Sequence, residues 1–477
     1  MSDTADSNGS WAEIFTPRYA TVTLILCLGV ALFAFNAFLA STALPTAVQH
    51  LGGLELIAWA LTLYLVLAIM GGAGAALLKQ RLGARTALLV AGAVFLFGTL
   101  IAANAGTMTE VLIGRSFQGL GEGVVAAICF ALIPELFPAR LVPKVFGMQA
   151  VVWAVAAFGG PVLAGLLTEL VSWRAAFLVN VPLVLIFAAM VAVVVPGKAD
   201  TTNESPGFPG IRLLTIGSGI MLVALASIAP PLQAAALLVG AAILLVGSVW
   251  LDRRSRVRLM PTGAFWPNSV IGSGLLVVLF MPVAGATSAV YLVLLTQQLW
   301  GYGPTLAGAI GAVMAVAWSL SAITVANIRQ RETRKLLIRT GPALIALGLI
   351  GILIGLLTGQ LIIVLLSQIA IGSGFGISNG YLNLTLMEAA SDAERDRTSA
   401  LLPTTQSAGN AIGAALAGVA ANTAGFATAI TVEQIHLAII PVFVVGATMA
   451  GFAFLAALRM TRLMNAHATQ SSFAAAQ

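Results

Sequence analysis

The 477-residue chain is 8% charged and 59% hydrophobic, which leaves too few charges for the surface of a water-soluble protein. Apolar stretches of about 20 residues, long enough for a helix to cross a hydrocarbon layer, recur from Tyr19 to Met460. The composition therefore indicates an integral membrane protein.

We predict fourteen membrane-spanning helices, because lipid offers no hydrogen-bond partners and each crossing segment must satisfy its own backbone. The predicted spans, numbered 1 to 14 in chain order, cover residues 19–48, 54–78, 86–107, 109–136, 145–170, 174–196, 210–229, 232–251, 268–299, 305–327, 336–357, 360–388, 398–421 and 435–458. The predicted fold class is all-α.

The basic residues predict the orientation of the chain. The first 18 residues are polar and lack the apolar core of a cleavable signal, and an even number of spans places both termini on one side. Of the 23 Lys and Arg residues, all but Arg115 and Arg174 fall on that side, which makes it cytoplasmic. We expect a multi-pass protein of the inner membrane with both termini in the cytoplasm. The net charge of +6 follows from this bias and implies no nucleic-acid partner.

Polar segments divide the chain into blocks of six, two and six spans. A linker rich in proline and glycine follows span 6, and a basic run from Arg253 to Arg258 follows span 8. The predicted parts are a cytoplasmic N-terminal segment (1–18), an N-terminal six-helix bundle (19–196), a cytoplasmic linker (197–209), accessory helices (210–258), a C-terminal six-helix bundle (259–460) and a cytoplasmic tail (461–477).

Glycines indicate that the two blocks of six are repeats of one another. The fourth and fifth spans of each block align in register, with Gly119, Gly121, Gly123, Gly160 and Gly165 against Gly372, Gly374, Gly376, Gly413 and Gly418. In lipid, small residues at such spacing let helices approach closely, although glycine-rich spans also match by chance. We therefore expect close helix contacts at equivalent positions of the two blocks.

Only one acidic residue, Glu122, falls deep inside a predicted span, roughly 20 Å from the start of span 4 at 1.5 Å per residue. Arg115 precedes it by two helical turns and so shares its face. Desolvation favours a neutral carboxyl group and a nearby cation favours a charged one, so small movements can load and release a proton. We predict Glu122 as the proton-binding residue and Arg115 as its electrostatic modulator. A static buried pair, or a carboxylate that binds a cationic substrate, is the alternative.

Other polar and aromatic side chains within the spans are candidates to line a substrate cavity. They are Asn36, Phe33, Gln118, Gln149, Trp153, Tyr291, Gln297, Asn379 and Asn383. Each alone is more often a helix–helix hydrogen bond or a packed core residue. The apolar surroundings favour a lipophilic or amphipathic substrate. The positions of the three histidines and two cysteines in the sequence indicate neither a metal site nor a catalytic cluster. We therefore expect that the chain is not an enzyme and that it uses no metal and no cofactor.

Four motifs occur in an order that is typical of one transporter family. They are residues 42–45, residues 112–121, Gly147 with Gly160, Pro161 and Gly165, and residues 173–182. Together they resemble the fourteen-helix drug:proton antiporter branch of the major facilitator superfamily, over essentially the whole chain. The resemblance implies two six-helix bundles that rock around a midplane cavity, with spans 7 and 8 outside this core. It also implies that Arg115 helps proton transfer, and that Gly160, Pro161 and Gly165 bend span 5 and help seal one end of the cavity.

Two departures from the family pattern bear on mechanism. Before the Arg-x-Gly-x-Arg sequence of the loop between spans 2 and 3, the family usually carries a glycine and an aspartate. The corresponding residues here are Ala76, Gln80, Arg81, Gly83 and Arg85. The resemblance makes Gln80, Arg81, Gly83 and Arg85 gating residues, without the acid that helps latch the cytoplasmic side. Span 1 carries Asn36 where many members have an acid, which leaves Glu122 to carry the proton or leaves coupling weak.

The sequence thus predicts proton-coupled efflux of lipophilic or amphipathic small molecules, with the proton gradient as the energy source. We expect protons, membrane lipids and the small substrate as partners, and a single chain as the working unit. The alternative is an uncoupled or weakly coupled facilitator or exporter of a lipid or siderophore-like molecule. Transport that is insensitive to a protonophore favours the alternative.

Overall fold

A computed structural model describes residues 11–138, 141–195, 210–255, 258, 260–325, 328, 330–391 and 394–474. The predicted linker 197–209, residues 1–10 of the predicted N-terminal segment and residues 475–477 of the predicted tail lie outside the described residues.

The described chain is built from α-helices and three short 3₁₀ helices, so the predicted all-α fold class is confirmed. The α-helices are α1 (Ala20–Leu51), α2 (Ile57–Ala103), α3 (Met108–Leu136), α4 (Val142–Leu170), α5 (Trp173–Leu178), α6 (Asn180–Val194), α7 (Gly210–Ala226), α8 (Pro231–Arg254), α9 (Val270–Trp300), α10 (Pro304–Val325), α11 (Arg331–Thr358), α12 (Leu361–Ala389), α13 (Arg395–Thr423) and α14 (Val432–Ala474). The 3₁₀ helices are Trp11–Phe15, Leu54–Leu56 and Phe426–Thr428.

The helix count matches the predicted count of spans through two compensating differences. Spans 2 and 3 lie in one element, α2, which bends at Gly83, where φ is 78° and ψ is 157°. A positive φ suits glycine because it has no Cβ to clash with the backbone. Span 6 is divided between α5 and α6, which Val179 separates.

Twelve helical segments are long and apolar enough to cross a membrane. Spans 7 and 13 are not among them. The helix at span 7, α7, has 17 residues. The helix at span 13, α13, carries the polar run from Thr404 to Ser407 in its first half. The chain is therefore a multi-pass membrane protein in which these two helices carry the weaker apolar signal.

Contacts between helices divide the described residues into two compact units. Unit 1 lies within residues 1–52, 67–208 and 303–309, and unit 2 within residues 53–66, 209–302 and 310–477. Each unit therefore includes a short segment from the other sequence block, the beginning of α10 in unit 1 and the beginning of α2 in unit 2. The boundaries of the predicted six-helix bundles stay a prediction.

The core of unit 1 forms where α1, the second half of α2, α3 and α6 meet. Leu26, Leu88, Phe95, Ile128 and Phe187 are among its buried side chains. Unit 2 is organised around α9, which is its most buried helix and packs against α11, α12, α13 and α14.

The accessory pair, α7 and α8, belongs to unit 2 and packs onto α13 through α7. Val223 and Ala224 of α7 pack with Ala415 of α13, and Trp59 Nε1 donates a hydrogen bond to Ser227 Oγ at 3.0 Å. The partner helix α8 is mostly exposed along its apolar length. In a membrane protein, this exposed face is a surface for lipid.

Aligned glycines occupy equivalent close contacts in the two units. A Cβ on Gly121 or Gly123 of α3 would meet α2, at Ala91 and Ala68 respectively. In α12, a Cβ on Gly374 would meet Gly341 of α11, and one on Gly376 would meet Trp318 of α10. Since spans 10 and 11 are the repeat equivalents of spans 2 and 3, the expected close contacts at equivalent positions are confirmed for these pairs.

Candidate functional site

Glu122 is the central residue of α3, which has 29 residues from Met108 to Leu136. Its exposure is 1%, and Arg115, two turns earlier, is equally buried. Residues at positions i, i+3 and i+7 share one face of a helix, so Gln118 belongs to the same face as this pair. Among the described residues, Arg115 and Glu122 are the only charged side chains that are buried in the middle of a helix.

A chain of two asparagines leads to the carboxylate of Glu122. Asn36 Nδ2 of α1 donates a hydrogen bond to Glu122 Oε2 at 2.9 Å, and Asn180 Nδ2 of α6 donates to Asn36 Oδ1 at 3.4 Å. Both asparagines have 0% exposure. A hydrogen bond from an amide to a carboxylate favours its charged form, whereas removal from water favours the neutral form. Opposing influences of this kind suit a group that exchanges a proton.

Arg115 is held by a second chain of hydrogen bonds. Arg115 Nη1 donates to Gln118 Oε1 at 2.9 Å, and Gln118 Nε2 donates to Thr99 Oγ1 of α2 at 3.0 Å. Thr99 Oγ1 in turn donates to the carbonyl oxygen of Phe95 at 2.9 Å. Gln118, a predicted cavity residue, therefore positions the guanidinium group in this structure, and its contact with a substrate stays a prediction.

Asn180 belongs to the first of these chains of hydrogen bonds and Thr99 to the second, although the sequence analysis selected neither residue. Asn180 lies inside the motif at residues 173–182, where it looks like a feature of helix entry. A threonine within a span usually bonds to its own helix backbone, as Thr99 does, and so gives no separate signal. Their proximity to the charged pair depends on the packing of α2 and α6 against α1 and α3.

An aromatic wall in unit 1 is formed by rings of α1 and α4, one helical turn from Asn36. Trp153 of α4 contacts the Phe33 ring edge-on with centroids 5.5 Å apart, and contacts the Phe38 ring at 6.5 Å. Phe33 lies one turn before Asn36 on α1, and Gln149 lies one turn before Trp153 on α4. Gln149 is 2% exposed, and neither amide atom has a hydrogen-bond partner among the described residues. These side chains could provide an apolar surface and one amide to a bound molecule.

The predicted cavity residues of unit 2 lie on two helices, α9 and α12. Tyr291 is buried and packs edge-on against Phe426, with ring centroids 5.4 Å apart. Asn379 Oδ1 accepts a hydrogen bond from Gln406 Nε2 at 3.1 Å, and Gln297 lies near the end of α9. Asn383 Oδ1 is buried without a hydrogen-bond partner among the described atoms. Their role in binding stays a prediction.

The predicted gating residues at the bend of α2 lie beside an ion pair. Gly83 forms the bend, Gln80 and Arg85 are half-buried, and Arg81 is exposed. Lys79 Nζ forms an ion pair with Glu135 at the end of α3. This carboxylate links α2 to α3 close to the position where the family acid is replaced by Gln80.

The predicted gating residues of α4 lie at close helix contacts within unit 1. A Cβ on Gly160 would lie 2.8 Å from Phe38 Cβ, and one on Gly165 would collide with Thr305 at the start of α10. Pro161 lies within α4, and its carbonyl oxygen is close to Gly308. Glu169 strengthens this contact, because its carboxylate accepts hydrogen bonds from Thr305 N at 2.9 Å and Thr305 Oγ1 at 2.7 Å.

A family model and two similar proteins relate this chain to one transporter family. The family model of the Major Facilitator Superfamily matches residues 26–414. A probable multidrug-efflux transporter of Mycobacterium tuberculosis is 31% identical over 443 residues, which cover 89% of this chain and 92% of that protein. Multidrug transporter protein MdtP of Bacillus subtilis is 25% identical over 379 residues, which cover 78% of this chain and 70% of that protein.

Solved structures share the fold at lower identity. The D-xylose-proton symporter has a TM-score of 0.65 at 20% identity, covering 92% of this chain and 97% of that chain. The POT family transporter PepTSo has a TM-score of 0.67 at 16% identity, covering 94% and 98% respectively. Together with the family match and the multi-pass fold, these findings show that the chain is a membrane transporter, not an enzyme, and belongs to the major facilitator superfamily.

Proposed function

We propose that this chain is a proton-coupled exporter of lipophilic or amphipathic small molecules, and that it belongs to the fourteen-helix drug:proton antiporter branch. It works by alternating access in the inner membrane, with both termini in the cytoplasm and one chain as the transporting unit. The relatives named as multidrug-efflux transporters support export of small molecules.

The observation that carries proton coupling is the buried carboxylate of Glu122. It lies at the middle of α3, accepts a hydrogen bond from Asn36 and shares a helix face with Arg115. Burying an ionisable group at this depth is energetically costly. Such groups are therefore found where they have a function or a permanent partner. A proton that enters from the periplasm neutralises Glu122 after the substrate has left, and its release to the cytoplasm restores the charged carboxylate.

The aromatic wall supports the proposed substrate class. Phe33, Phe38 and Trp153 offer ring surfaces to a lipophilic molecule, and the amide of Gln149 offers one polar contact. A mostly apolar site with few polar groups is typical of sites for small lipophilic ligands. Phosphate and sugar recognition would need more polar side chains directed at the ligand.

The uncoupled or weakly coupled facilitator is the second candidate, because Asn36 and Gln80 replace acids of the family pattern. Proteoliposomes with an imposed pH gradient distinguish the two candidates. We expect transport of tetraphenylphosphonium, or of a neutral drug found to bind in a screen, when the pH gradient is present. Transport should stop when a protonophore collapses the gradient. Transport at an unchanged rate after the collapse supports the facilitator and rejects proton coupling.

A further inference from the structure

A pocket of about 320 Å³ lies at the end of α8, within unit 2, and residues 260–264 form part of its lining. Arg253, Arg258, Met260 and Trp266 are among the residues that line it. The pocket lies outside the transport site described above, and neither the family match nor the relatives assign it a role. Its basic and aromatic lining indicates an anionic ligand with an apolar part.

The acidic residue of the pocket is already paired. Asp252 is 1% exposed, forms an ion pair with Arg212 of α7, and accepts a hydrogen bond from Met260 N at 2.9 Å. At the rim, Glu394 Oε1 accepts hydrogen bonds from Thr262 N at 3.0 Å and Thr262 Oγ1 at 2.6 Å. These bonds hold Met260 and Thr262, two residues of the pocket lining. The two lining arginines therefore give the pocket a positive balance of charge.

The guanidinium group of Arg253 is oriented by two contacts. Its Nη2 donates to the carbonyl oxygen of Ala264 at 3.1 Å, and its Cζ lies 5.4 Å from the centroid of the Trp266 ring. A guanidinium group has five donors in a planar fork that matches the oxygens of a phosphate. An arginine held in this way loses less side-chain entropy on binding than a mobile one.

An apolar stripe on α8 leads directly to the pocket. Val239, Ile243, Val246 and Trp250 follow one another at helical spacing, with exposures of 61%, 66%, 70% and 50%. Arg253 and Arg254 continue this face at the end of α8, and Arg254 Cζ lies 3.8 Å from the centroid of the Trp250 ring. The surface thus changes from apolar to basic along one helix face. This order complements an anionic lipid, whose apolar acyl chain leads to a negatively charged headgroup.

We propose that this pocket binds the phosphate headgroup of an anionic phospholipid, whose acyl chain lies along the stripe on α8. Basic pockets at the ends of membrane helices attract such headgroups, and a charge-assisted bond to phosphate adds specificity. In the proposed orientation, this lipid belongs to the cytoplasmic leaflet. The site does not depend on proton coupling, so it can be tested separately from the proposed transport function.

Native mass spectrometry of the full chain released from nanodiscs of mixed phosphatidylglycerol and phosphatidylcholine tests this site. We expect wild type to retain phosphatidylglycerol several-fold over its share of the lipid mixture. The double variant Arg253→Gln with Arg258→Gln should reduce this enrichment to near one. The single variant Arg462→Gln, which removes one positive charge from an exposed position on α14, should behave as wild type.

Three results would overturn the proposal. The first is equal enrichment in wild type and the double variant, provided that the variant elutes as a single folded species. If the double variant misfolds, the single variant Arg253→Gln serves instead, and enrichment as high as in wild type would contradict phosphate binding at Arg253. The third is loss of bound phosphatidylglycerol on addition of millimolar inorganic phosphate or glycerol phosphate, which assigns the pocket to soluble anions. Retention of the lipid under these conditions supports the phospholipid as ligand.

Discussion

At aligned positions of the two fourth-span helices, α3 of unit 1 carries Arg115 and Glu122, whereas α12 of unit 2 carries Gln368 and Phe375. Gln368 Oε1 accepts a hydrogen bond from Ser288 Oγ of α9 at 3.3 Å, and the Phe375 ring stacks on Trp318 of α10 at 4.8 Å. One half of the repeat therefore has a buried charged pair at the positions where the other has an amide and an aromatic ring.

The glycines of the same two helices do not differ in this way. Gly121 and Gly123 allow close approach of α3 to α2, and Gly374 and Gly376 allow close approach of α12 to α11 and α10. The packing frame is thus repeated in both units, whereas charged side chains buried in the middle of a helix occur, among the described residues, only in unit 1. We expect substitutions at charged positions to affect the two units differently, and substitutions at glycines to affect them alike.

The largest effect is expected for Glu122→Gln, which keeps the size of the side chain but removes the proton site. Gradient-driven transport should fall roughly a hundredfold or more, in the range for loss of a group that transfers a proton. Proton-independent exchange of labelled substrate across the membrane should continue, because binding and conformational change remain. Glu433→Gln, at an exposed position of α14, is the matched control and should transport as wild type.

A rescue variant makes this prediction more specific. Because Asn36 lies in hydrogen-bond contact with Glu122, the double variant Asn36→Asp with Glu122→Gln returns one carboxyl group to the same site. Gradient-driven uptake into proteoliposomes should be partly restored. If uptake by the double variant is as low as by Glu122→Gln alone, the position of the carboxyl group matters more than its presence.

The second effect compares Arg115→Met with Gln368→Met, which remove aligned polar groups of the two fourth-span helices. We expect Arg115→Met to reduce gradient-driven transport by roughly tenfold or more, because Glu122 loses its neighbouring cation. Gln368→Met should change transport less than about twofold while lowering stability by about 1–3 kcal/mol through lost hydrogen bonds. Transport rates and unfolding in detergent measure the two effects. Equal loss of coupling in both variants would contradict the division of roles.

The third effect concerns the shared packing frame. Gly123→Ala and Gly376→Ala should each destabilise the protein by about 1–3 kcal/mol, because the new methyl groups meet the carbonyl oxygens of Ala68 and Trp318. Gly380→Ala is the matched control, since a Cβ there meets nothing within 4 Å. Thermal unfolding in detergent checks all three variants. A destabilisation in only one of the first two would break the equivalence of the two units.

The smallest effect is expected for Thr99→Val. This change removes the hydroxyl that accepts a hydrogen bond from Gln118, and it should cost about 1 kcal/mol of stability. Because Gln118 would hold Arg115 less firmly, we expect gradient-driven transport to fall about threefold. The control is Thr358→Val at an exposed position of α11, for which rate and stability should stay near wild type.

Much of the fold follows from the hydropathy and glycine pattern alone. The all-α class, the multiple crossings and the close contacts at Gly123 and Gly376 depend on local sequence and on the physics of backbone burial in lipid. The exchange of segments between units could not be predicted in this way. The contact of Gly165 with Thr305 joins surfaces that are far apart in sequence, and no local pattern specifies such a pairing.

The site was predictable where the signal was electrostatic. Glu122 and Arg115 stand out because buried charges are rare within spans. Asn180 was missed because a neutral amide in a span has many ordinary roles, and only the packing of α6 against α1 brings it to Asn36. Gln118 was selected as a cavity residue, but its partner in the structure is Arg115.

Proton release from detergent-purified protein tests whether Glu122 exchanges its proton for substrate. A lipophilic cation or neutral drug that binds both wild type and Glu122→Gln is added to weakly buffered samples, and the pH change is recorded. We expect release of protons from wild type and none from the variant, at equal occupancy of the binding site. Equal release from both proteins, or none from either with binding intact, would contradict Glu122 as the shared switch between proton and substrate.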